Sequence, residues 1–136
     1  MRRIVLLSCV SKKLDCSAPA RELYISPLFR FGLAYAESLK PDAIYILSAK
    51  HGLVGLDKVL DPYEETLNTK RDAEIREWSV RVLQDLRQVA DMENDEFVFL
   101  AGDRYRRHLL PHLRHARMPL QGLGLGRQLQ FLKRHI

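Results

Sequence analysis

Three short apolar segments, each followed by polar residues, constrain most strongly how this 136-residue chain can fold. They span residues 3–8, 43–48 and 96–101 and are rich in branched and aromatic side chains. Continuous apolar runs of this length are typical of strands that are buried on both faces, as in parallel sheets. The segments between them are long enough to hold helices, so the pattern predicts right-handed βαβ connections.

Helix signals occupy the segments between these strands. Ser26 and Pro27 match an N-cap and a first helical position. The helix that follows places four apolar side chains on one face, namely Leu28, Phe31, Tyr35 and Leu39. Thr69 and Asp72 resemble a capping arrangement for a second helix that reaches about Ala90. Its apolar stripe consists of Ile75, Trp78, Val82, Leu86 and Val89.

The remaining segments complete the predicted architecture. Residues 49–68 show no clear period and predict a long irregular loop, which in so small a domain indicates function. A basic helix is expected over 103–112, a fourth extended segment over 118–120, and a last helix with Leu129 and Leu132 after the glycines of 122–126. We therefore predict a single three-layer α/β domain over residues 1–136, with a mainly parallel central sheet of about four strands flanked by helices.

Composition narrows the class of protein. Hydrophobic residues make up 46% of the chain, which is enough for a core without disulfides or a structural metal. The apolar run near the start ends at Ser8, too early for a signal peptide or a membrane span. Cys9 and Cys16 have no further cysteine partners and no zinc-like histidine spacing. We expect a cytoplasmic protein with reduced thiols and no metal.

Charge is distributed unevenly along the chain. Residues 101–136 carry eight Lys or Arg against one Asp or Glu, a net charge of +7, whereas residues 57–100 carry a net charge of −6. A basic segment of this kind favours a polyanionic partner such as nucleic acid. A solvated basic face without a partner explains the charge equally well, so charge alone leaves both interpretations open.

Polar residues follow all three predicted strands, and the carboxyl ends of parallel strands meet at one edge of a sheet, where ligands bind. We therefore expect three loops to converge on one site: Ser8 and Cys9 with Lys12 and Lys13, Ser48 with Lys50 and His51, and Asp103 with Arg104 and Tyr105. Each loop also has a structural explanation. Cys9 is also explained as a small buried residue, the lysines as solubilising side chains, His51 as a structural histidine, and Asp103 as a helix N-cap.

Other segments add candidate ligand contacts. Tyr63 offers an aromatic face for stacking a base, and Glu64 a carboxylate that could orient water, although Tyr63 is also explained by packing. The glycines of 122–126 match neither the dinucleotide fingerprint nor a P-loop, so no nucleotide cofactor is expected. The arginines around Tyr105 suit backbone contact with nucleic acid: Arg104, Arg106, Arg107, Arg114 and Arg117.

The motifs together resemble a small prokaryotic and phage domain family, the YaaA-like group. They are Ser8-Cys9-x-x-Lys12-Lys13, Ala20-Arg21-x-Leu23-Tyr24-x-Ser26, Ser48-Ala49-Lys50-His51-Gly52-Leu53, Pro62-Tyr63-x-x-Thr66-Leu67, Ala101-Gly102-x-x-Tyr105 and Gly122-Leu123-Gly124-x-Gly126-x-Gln128. The resemblance implies kinship with the uracil-DNA glycosylase superfamily and with anti-phage DNA glycosylases that remove modified bases. Asp61 precedes Pro62 and Tyr63 as in uracil-DNA glycosylases, but the Gly-Gln before that motif is missing and no strand is expected there. Asp61 is therefore not assigned the catalytic role.

The resemblance implies a function, and together with the residue patterns described above it gives a set of expected site residues. The expected activity is hydrolysis of the N-glycosidic bond of a modified base in phage DNA. Glucosylated hydroxymethylcytosine is among the bases that the resemblance implies, and the expected role is antiviral defence. The expected catalytic residues are Asp103, Glu64, Lys50 and His51. The expected substrate contacts are Ser8, Cys9, Lys12, Arg21, Tyr24, Ser26, Ser48, Tyr63, Thr66, Tyr105 and Gln128. The expected DNA-backbone contacts are Lys13, Arg104, Arg106, Arg107, Arg114 and Arg127.

Two other functions remain open at this stage. A nucleoside or nucleotide N-glycosidase would use the same crevice on a small molecule, and its activity would not depend on salt or polymer length. A non-catalytic DNA-binding stress or defence protein would need the basic residues but not Asp103. The sequence does not distinguish DNA from RNA, and it specifies neither the base nor the oligomeric state.

Overall fold

The chain alternates between strands and helices along its length in a computed structural model that describes residues 1–9 and 12–136. The strands are β1 (Arg3–Ser8), β2 (Ala18–Pro19), β3 (Ala43–Ser48), β4 (Gly52–Gly55), β5 (Val59–Leu60), β6 (Glu96–Leu100) and β7 (His115–Arg117). The α-helices are α1 (Ala20–Leu23), α2 (Pro27–Ser38), α3 (Asp72–Val89), α4 (Asp103–Arg106) and α5 (Leu125–Arg134). Leu67–Thr69 and Leu110–His112 form short 3₁₀ helices.

Five strands form the main sheet in the order β4-β3-β1-β6-β7. β1 is parallel to both β3 and β6, and β7 is parallel to β6. β4 pairs antiparallel with β3 through a tight hairpin, in which Gly52 adopts a φ of +74° that side-chain-bearing residues rarely tolerate. β2 and β5 form a separate antiparallel pair. The fold is thus a mixed α/β domain with a mostly parallel sheet, as the sequence predicts.

Helices cover the sheet because its central strand is apolar on both faces. Residues 4–7 of β1 are no more than 2% exposed. α2 packs on β1 and on α5, whereas α3 packs on β4 and α4. The chain steps from β1 to β3 in one direction and from β3 to β6 in the other, so right-handed crossovers place α2 and α3 on opposite faces. The loops after β1 and β6 therefore diverge and leave a crevice between them.

Several sequence predictions are confirmed. The three apolar segments form β1, β3 and β6, and the last of these ends at Leu100. Ser26 caps α2, since its hydroxyl accepts a hydrogen bond from the Phe29 backbone N–H at 3.3 Å, and Pro27 is the first helical residue. The stripe of α3 is buried at Ile75, Trp78, Val82 and Leu86, with Val89 half-buried. No helix in the described part of the chain is both long and apolar enough to cross a membrane.

Other predictions are wrong, in each case because tertiary contacts decide the local structure. Residues 49–68 are not one irregular loop, because β4 pairs with the neighbouring β3 in a hairpin and β5 pairs with the distant β2. The segment 103–112 is split into α4 and a 3₁₀ turn around Pro111. The fourth parallel strand is β7, just before the predicted 118–120. The buried face of α2 consists of Phe29, Gly32, Tyr35 and Ala36. In its first half this face is shifted by one residue from the predicted Leu28 and Phe31.

The predicted cap of α3 is also wrong. Arg71 is the N-cap, and its backbone N–H donates to the Glu74 carboxylate at 3.2 Å. The Thr69 hydroxyl instead donates to the Thr66 carbonyl at 3.2 Å within the preceding 3₁₀ turn. Asp61, expected to follow no strand, comes directly after β5, and its carboxylate accepts a hydrogen bond from the Ser17 hydroxyl.

Candidate functional site

A cavity of about 850 Å³ opens at the carboxyl edge of the sheet, where the chain leaves β1 and β6 in opposite directions. This volume lies within the range of small-molecule sites in proteins. One wall is largely apolar and comes from α2, α5 and the loop before α5. The other wall comes from α4 and residues 65–68 and is mostly polar. The lining residues are Leu7, Ser8, Cys9, Leu28, Phe29, Gly32, Glu65, Thr66, Asn68, Leu100, Ala101, Gly102, Asp103, Arg104, Tyr105, Arg106, Arg107, Leu120, Leu125, Gln128 and Leu132.

A buried hydroxyl and a buried thiol form the polar floor of the cavity. The Cys9 sulfur and the Tyr105 hydroxyl oxygen are hydrogen-bonded at 3.3 Å. The same hydroxyl accepts from the Leu67 backbone N–H at 3.3 Å and lies 3.5 Å from Thr66 Oγ1. Burial raises the pKa of Tyr105 to about 12. Tyr105 therefore stays protonated at neutral pH and ties α4 to the end of β1 and to the 66–67 segment.

A second buried network lies beside this floor, under the end of β3. The Tyr63 hydroxyl is hydrogen-bonded to Ser48 Oγ at 2.7 Å and to the Tyr24 hydroxyl. Ser48 Oγ also accepts from the His51 backbone N–H at 3.0 Å. Burial raises the pKa of Tyr24 to about 12 and raises that of Tyr63 further. The network holds the segment around Tyr63 against the end of β3.

A cationic side chain and an imidazole contact the Tyr63 ring from outside this network. The Lys13 Nζ lies 4.4 Å from the ring centroid, a cation–π arrangement. The His51 ring packs edge-on against Tyr63, with centroids 5.3 Å apart. Burial lowers the pKa of Lys13, and burial together with the charge of Lys50 lowers the pKa of His51. Both groups therefore support the tyrosine network rather than face the cavity.

Charged side chains of α4 form the rim of the cavity. The Asp103 carboxylate accepts from Arg107 Nε at 2.9 Å and also from its Nη2. Arg106 Nη1 donates to the Ala101 carbonyl at 2.6 Å, and Arg104 Nη1 makes a long contact of 3.4 Å with the Asn68 side chain. The ion pair with Asp103 raises the pKa of Arg107. The rim thus holds three guanidinium groups and one carboxylate.

The rim is anchored to the start of α3 through Asp72. Its carboxylate lies 2.8 Å from His108 Nε2 and 3.4 Å from Arg107 Nη1, and it accepts from Arg76 Nε at 2.9 Å. The hydrogen bonds from Arg76 and His108 lower the pKa of Asp72 to about 2. A single carboxylate therefore connects α3 to the segment that carries the rim arginines.

The structure brings many of the predicted site residues into the cavity wall. They are Ser8, Cys9, Thr66, Asp103, Arg104, Tyr105, Arg106, Arg107 and Gln128. Gln128 Nε2 donates to the Leu123 carbonyl at 2.8 Å, which ties α5 to the loop before it. A further group forms the buried network next to the cavity without lining it, namely Lys13, Tyr24, Ser48 and Tyr63.

Other predicted residues lie outside the cavity lining. Lys12, Lys50, His51, Glu64 and Arg127 are exposed, Arg21 pairs with Asp57, Arg114 pairs with Glu93, and Ser26 caps α2. Lys50 and His51 sit in the tight β3–β4 hairpin, which turns them away from the crevice between β1 and β6. Two of the three predicted loops therefore share the cavity, whereas the third contacts only the tyrosine network beside it, through Ser48 and His51.

The apolar wall was not predicted from the sequence. Its members are Leu28, Phe29, Gly32, Leu120, Leu125 and Leu132. An apolar side chain in a helix gives the same signal whether it faces the core or a ligand cavity. Glu65 also lines the cavity, whereas the predicted Glu64 next to it does not. Leu28 was predicted only as part of the apolar face of a helix, and its place at the cavity depends on the packing of α2 against α5.

Comparison with known proteins gives one match. The model of a family described as "Family of unknown function (DUF6884)" matches residues 4–134. The chain belongs to this family. No curated protein and no solved structure matches the chain.

Both walls of the cavity fall within the residues that the family model covers. Within residues 1–9 and 12–136, no three His, Cys, Asp or Glu side chains cluster closely enough to hold a metal ion. The functional groups that line the cavity are a thiol, hydroxyls, two amides, two carboxylates and three guanidinium groups.

Proposed function

We propose that this protein is a DNA N-glycosylase that takes a modified nucleotide of phage DNA into the cavity between β1 and β6 and hydrolyses its glycosidic bond. The observation that carries the proposal is the cavity of about 850 Å³ at the switch point of the sheet, with Arg104, Arg106 and Arg107 on its rim. Proteins with open α/β sheets bind ligands at this position. The biological role that we propose with it, antiviral defence in the cytoplasm, rests on the family resemblance of the sequence motifs.

The charge of the rim supports a polyanionic substrate. Three arginines lie on one short helix and the residue after it, within the segment 101–136 that carries a net charge of +7. Arg104 is exposed, and its contact with the Asn68 side chain is long, so its guanidinium group can reach a phosphate. Arginine binds phosphate oxygens in a bidentate manner. The rim would hold the DNA backbone while the target nucleotide enters the cavity.

The lining of the cavity supports a nucleobase as the group that enters it. Phe29 and Leu28 offer an apolar surface to the faces of a base, whereas Ser8 and Gln128 offer hydrogen-bonding groups to its edge. An enzyme that acts on a base in a duplex must rotate the nucleotide out of the stack and bind it in such a pocket. The side chain of Tyr105 stays below the base, since its hydroxyl is already bound to Cys9 and Leu67.

The catalytic step would use the carboxylate on the rim. Cleavage of the glycosidic bond creates positive charge on the sugar, which a nearby carboxylate stabilises while it orients the attacking water. Asp103 is our first candidate, and its ion pair with Arg107 holds it at the cavity mouth. Hydrogen-bond donors such as Arg106 and Ser8 would stabilise the departing base, a role that the positions of Lys50 and His51 no longer favour.

The test is a strand-break assay on DNA of defined modification. Phage genomes and synthetic duplexes with different modified cytosines are incubated with the protein, and abasic sites are scored as alkali-labile breaks. Asp103→Asn is expected to lower the rate by about 100-fold or more, in the range of general acid–base effects, without loss of binding. Glu64→Gln is the matched control, since this carboxylate lies outside the cavity, and it should cleave at the parent rate.

A non-catalytic DNA-binding function is the second candidate, and one observation favours it. Asp103 is exposed, and its carboxylate forms an ion pair with Arg107 one helical turn later. A residue whose only role is to stabilise the start of α4 would make the same contact. DNA binding that weakens steeply with salt, together with no breaks in any substrate, would establish this alternative. Cleavage of free nucleosides at a rate independent of salt would instead establish the small-molecule N-glycosidase.

A further inference from the structure

One glycine in the apolar wall has no explanation in the fold itself. Gly32 lies in the middle of α2 (Pro27–Ser38), is buried, and lines the cavity one turn after Leu28 and Phe29. Glycine is the least favourable residue in a helix interior apart from proline, because it gains no side-chain contacts and loses the most backbone entropy. A glycine at such a position needs a reason.

Neither backbone conformation nor packing supplies that reason. The positive-φ glycines of the described chain are Gly52 and Gly122, so Gly32 does not use a conformation that other residues avoid. A Cβ added to Gly32 would meet a single side-chain atom, Leu7 Cδ2, at 3.5 Å, which is ordinary van der Waals contact. The helix could therefore carry alanine here without strain, and what the glycine leaves behind is space beside Leu7 in the cavity.

We propose that Gly32 is a specificity-determining residue that sets the largest group the cavity accepts. A side chain at this position would begin beside Leu7 Cδ2, and Leu7, Cys9 and Gly32 line the same cavity. This inference deepens the proposed function. The identity of the ligand as a bulky nucleobase rests on that function. Its geometric part, that Gly32 keeps the cavity open down to Cys9, can be tested without any DNA.

The experiment uses Cys9 as a probe of cavity access. Cys16 is exposed and is first replaced by Ser, so that Cys9 is the remaining thiol. Gly32→Ala and Gly32→Leu are made in this parent, with Ala34→Leu as the matched control because Ala34 is an exposed residue of the same helix. Alkylation of Cys9 by iodoacetamide and by the larger N-ethylmaleimide is followed by intact-mass spectrometry, and melting temperatures are measured for all variants.

The expected results separate the roles of fold and cavity. Gly32→Ala should raise the melting temperature by about 4 °C through helix propensity. Gly32→Leu should slow alkylation of Cys9 by about tenfold or more, since a side chain that fills the space blocks the route to the sulfur. Ala34→Leu should alkylate at the parent rate. If Gly32→Leu does not fold, slower reaction of Gly32→Ala with N-ethylmaleimide decides the question.

Three outcomes would overturn the inference: a lower melting temperature for Gly32→Ala, an unchanged alkylation rate in both Gly32 variants, or no reaction of Cys9 in the parent. Binding of duplexes with bulky modified bases is measured on the same proteins, and Gly32→Leu should weaken it while unmodified DNA binds as before. If the parent binds no modified DNA but Gly32→Leu still protects Cys9, the proposed function fails and the role of Gly32 in the cavity stands.

Discussion

Replacing Tyr63 by Phe tests whether the buried hydroxyl network stabilises the site region. The substitution keeps the ring, and with it the contacts to His51 and Lys13, but removes the hydrogen bonds to Ser48 and Tyr24. Each buried hydrogen bond contributes about 1 kcal/mol net, so we expect the free energy of unfolding to fall by about 2 kcal/mol. Equilibrium urea denaturation measures this as a lower midpoint at an unchanged slope.

A double-mutant cycle shows whether the loss comes from the network. Tyr24→Phe and the double variant with Tyr63→Phe should together reveal a coupling energy of about 1 kcal/mol, because the two hydroxyls share one hydrogen bond. Tyr45→Phe, a half-buried tyrosine of β3 outside this network, should change stability by less than about 0.5 kcal/mol. Additive effects of the two network substitutions, or a Tyr63→Phe loss no larger than the control, would refute the reasoning.

Three further predictions follow from burial and pKa. Because the pKa values of Tyr24 and Tyr105 are raised to about 12, the stability that these two tyrosines contribute should be lost as the pH rises above about 10. Above that pH the unfolded chain releases tyrosine protons that the folded chain retains, so urea midpoints that stay level from about pH 9 to about pH 11.5 would contradict this. The pKa of His51 is lowered, so its NMR titration midpoint should lie below 6.5, and a higher midpoint would place it next to an anion instead. Leu132→Ala should lower the free energy of unfolding by about 3 kcal/mol in calorimetry, because Leu132 is fully buried on the helix that packs against α2. Leu125 is 62% exposed, so Leu125→Ala should lower it by less than about 0.5 kcal/mol.

The central strands were predictable because their signal is local. The apolar runs of β1, β3 and β6 have no amphipathic alternative, and Ser26 with Pro27 marks the start of α2 without reference to other segments. β4 was missed because it is four residues long and begins and ends with glycine, so it is stable only through its pairing with β3. Local pattern fails for strands such as β4 that are too short and too rich in glycine to carry an apolar signal of their own.

The site was predictable only in part, for a related reason. The rule that ligands bind at the carboxyl ends of parallel strands correctly placed Cys9 and Asp103 at one cavity. It wrongly added Lys50, because the sequence does not show that the chain turns back at once into an antiparallel strand. Nor does it show that the hydroxyls of Tyr63 and Tyr105 point into the protein, since the ring alone would suit stacking.

The divergence of the chain after β1 and β6 has a mechanical consequence. The cavity walls belong to separate crossover units: α2 with α5 on one side, and α4 with the 65–68 segment on the other. Below them, the β1–β6 ladder joins the two units through a continuous parallel register. An occupant that contacts both walls would therefore connect two units that are otherwise joined mainly through the sheet. We expect it to slow amide exchange in α2 and α4 and to leave exchange in β1 and β6 unchanged.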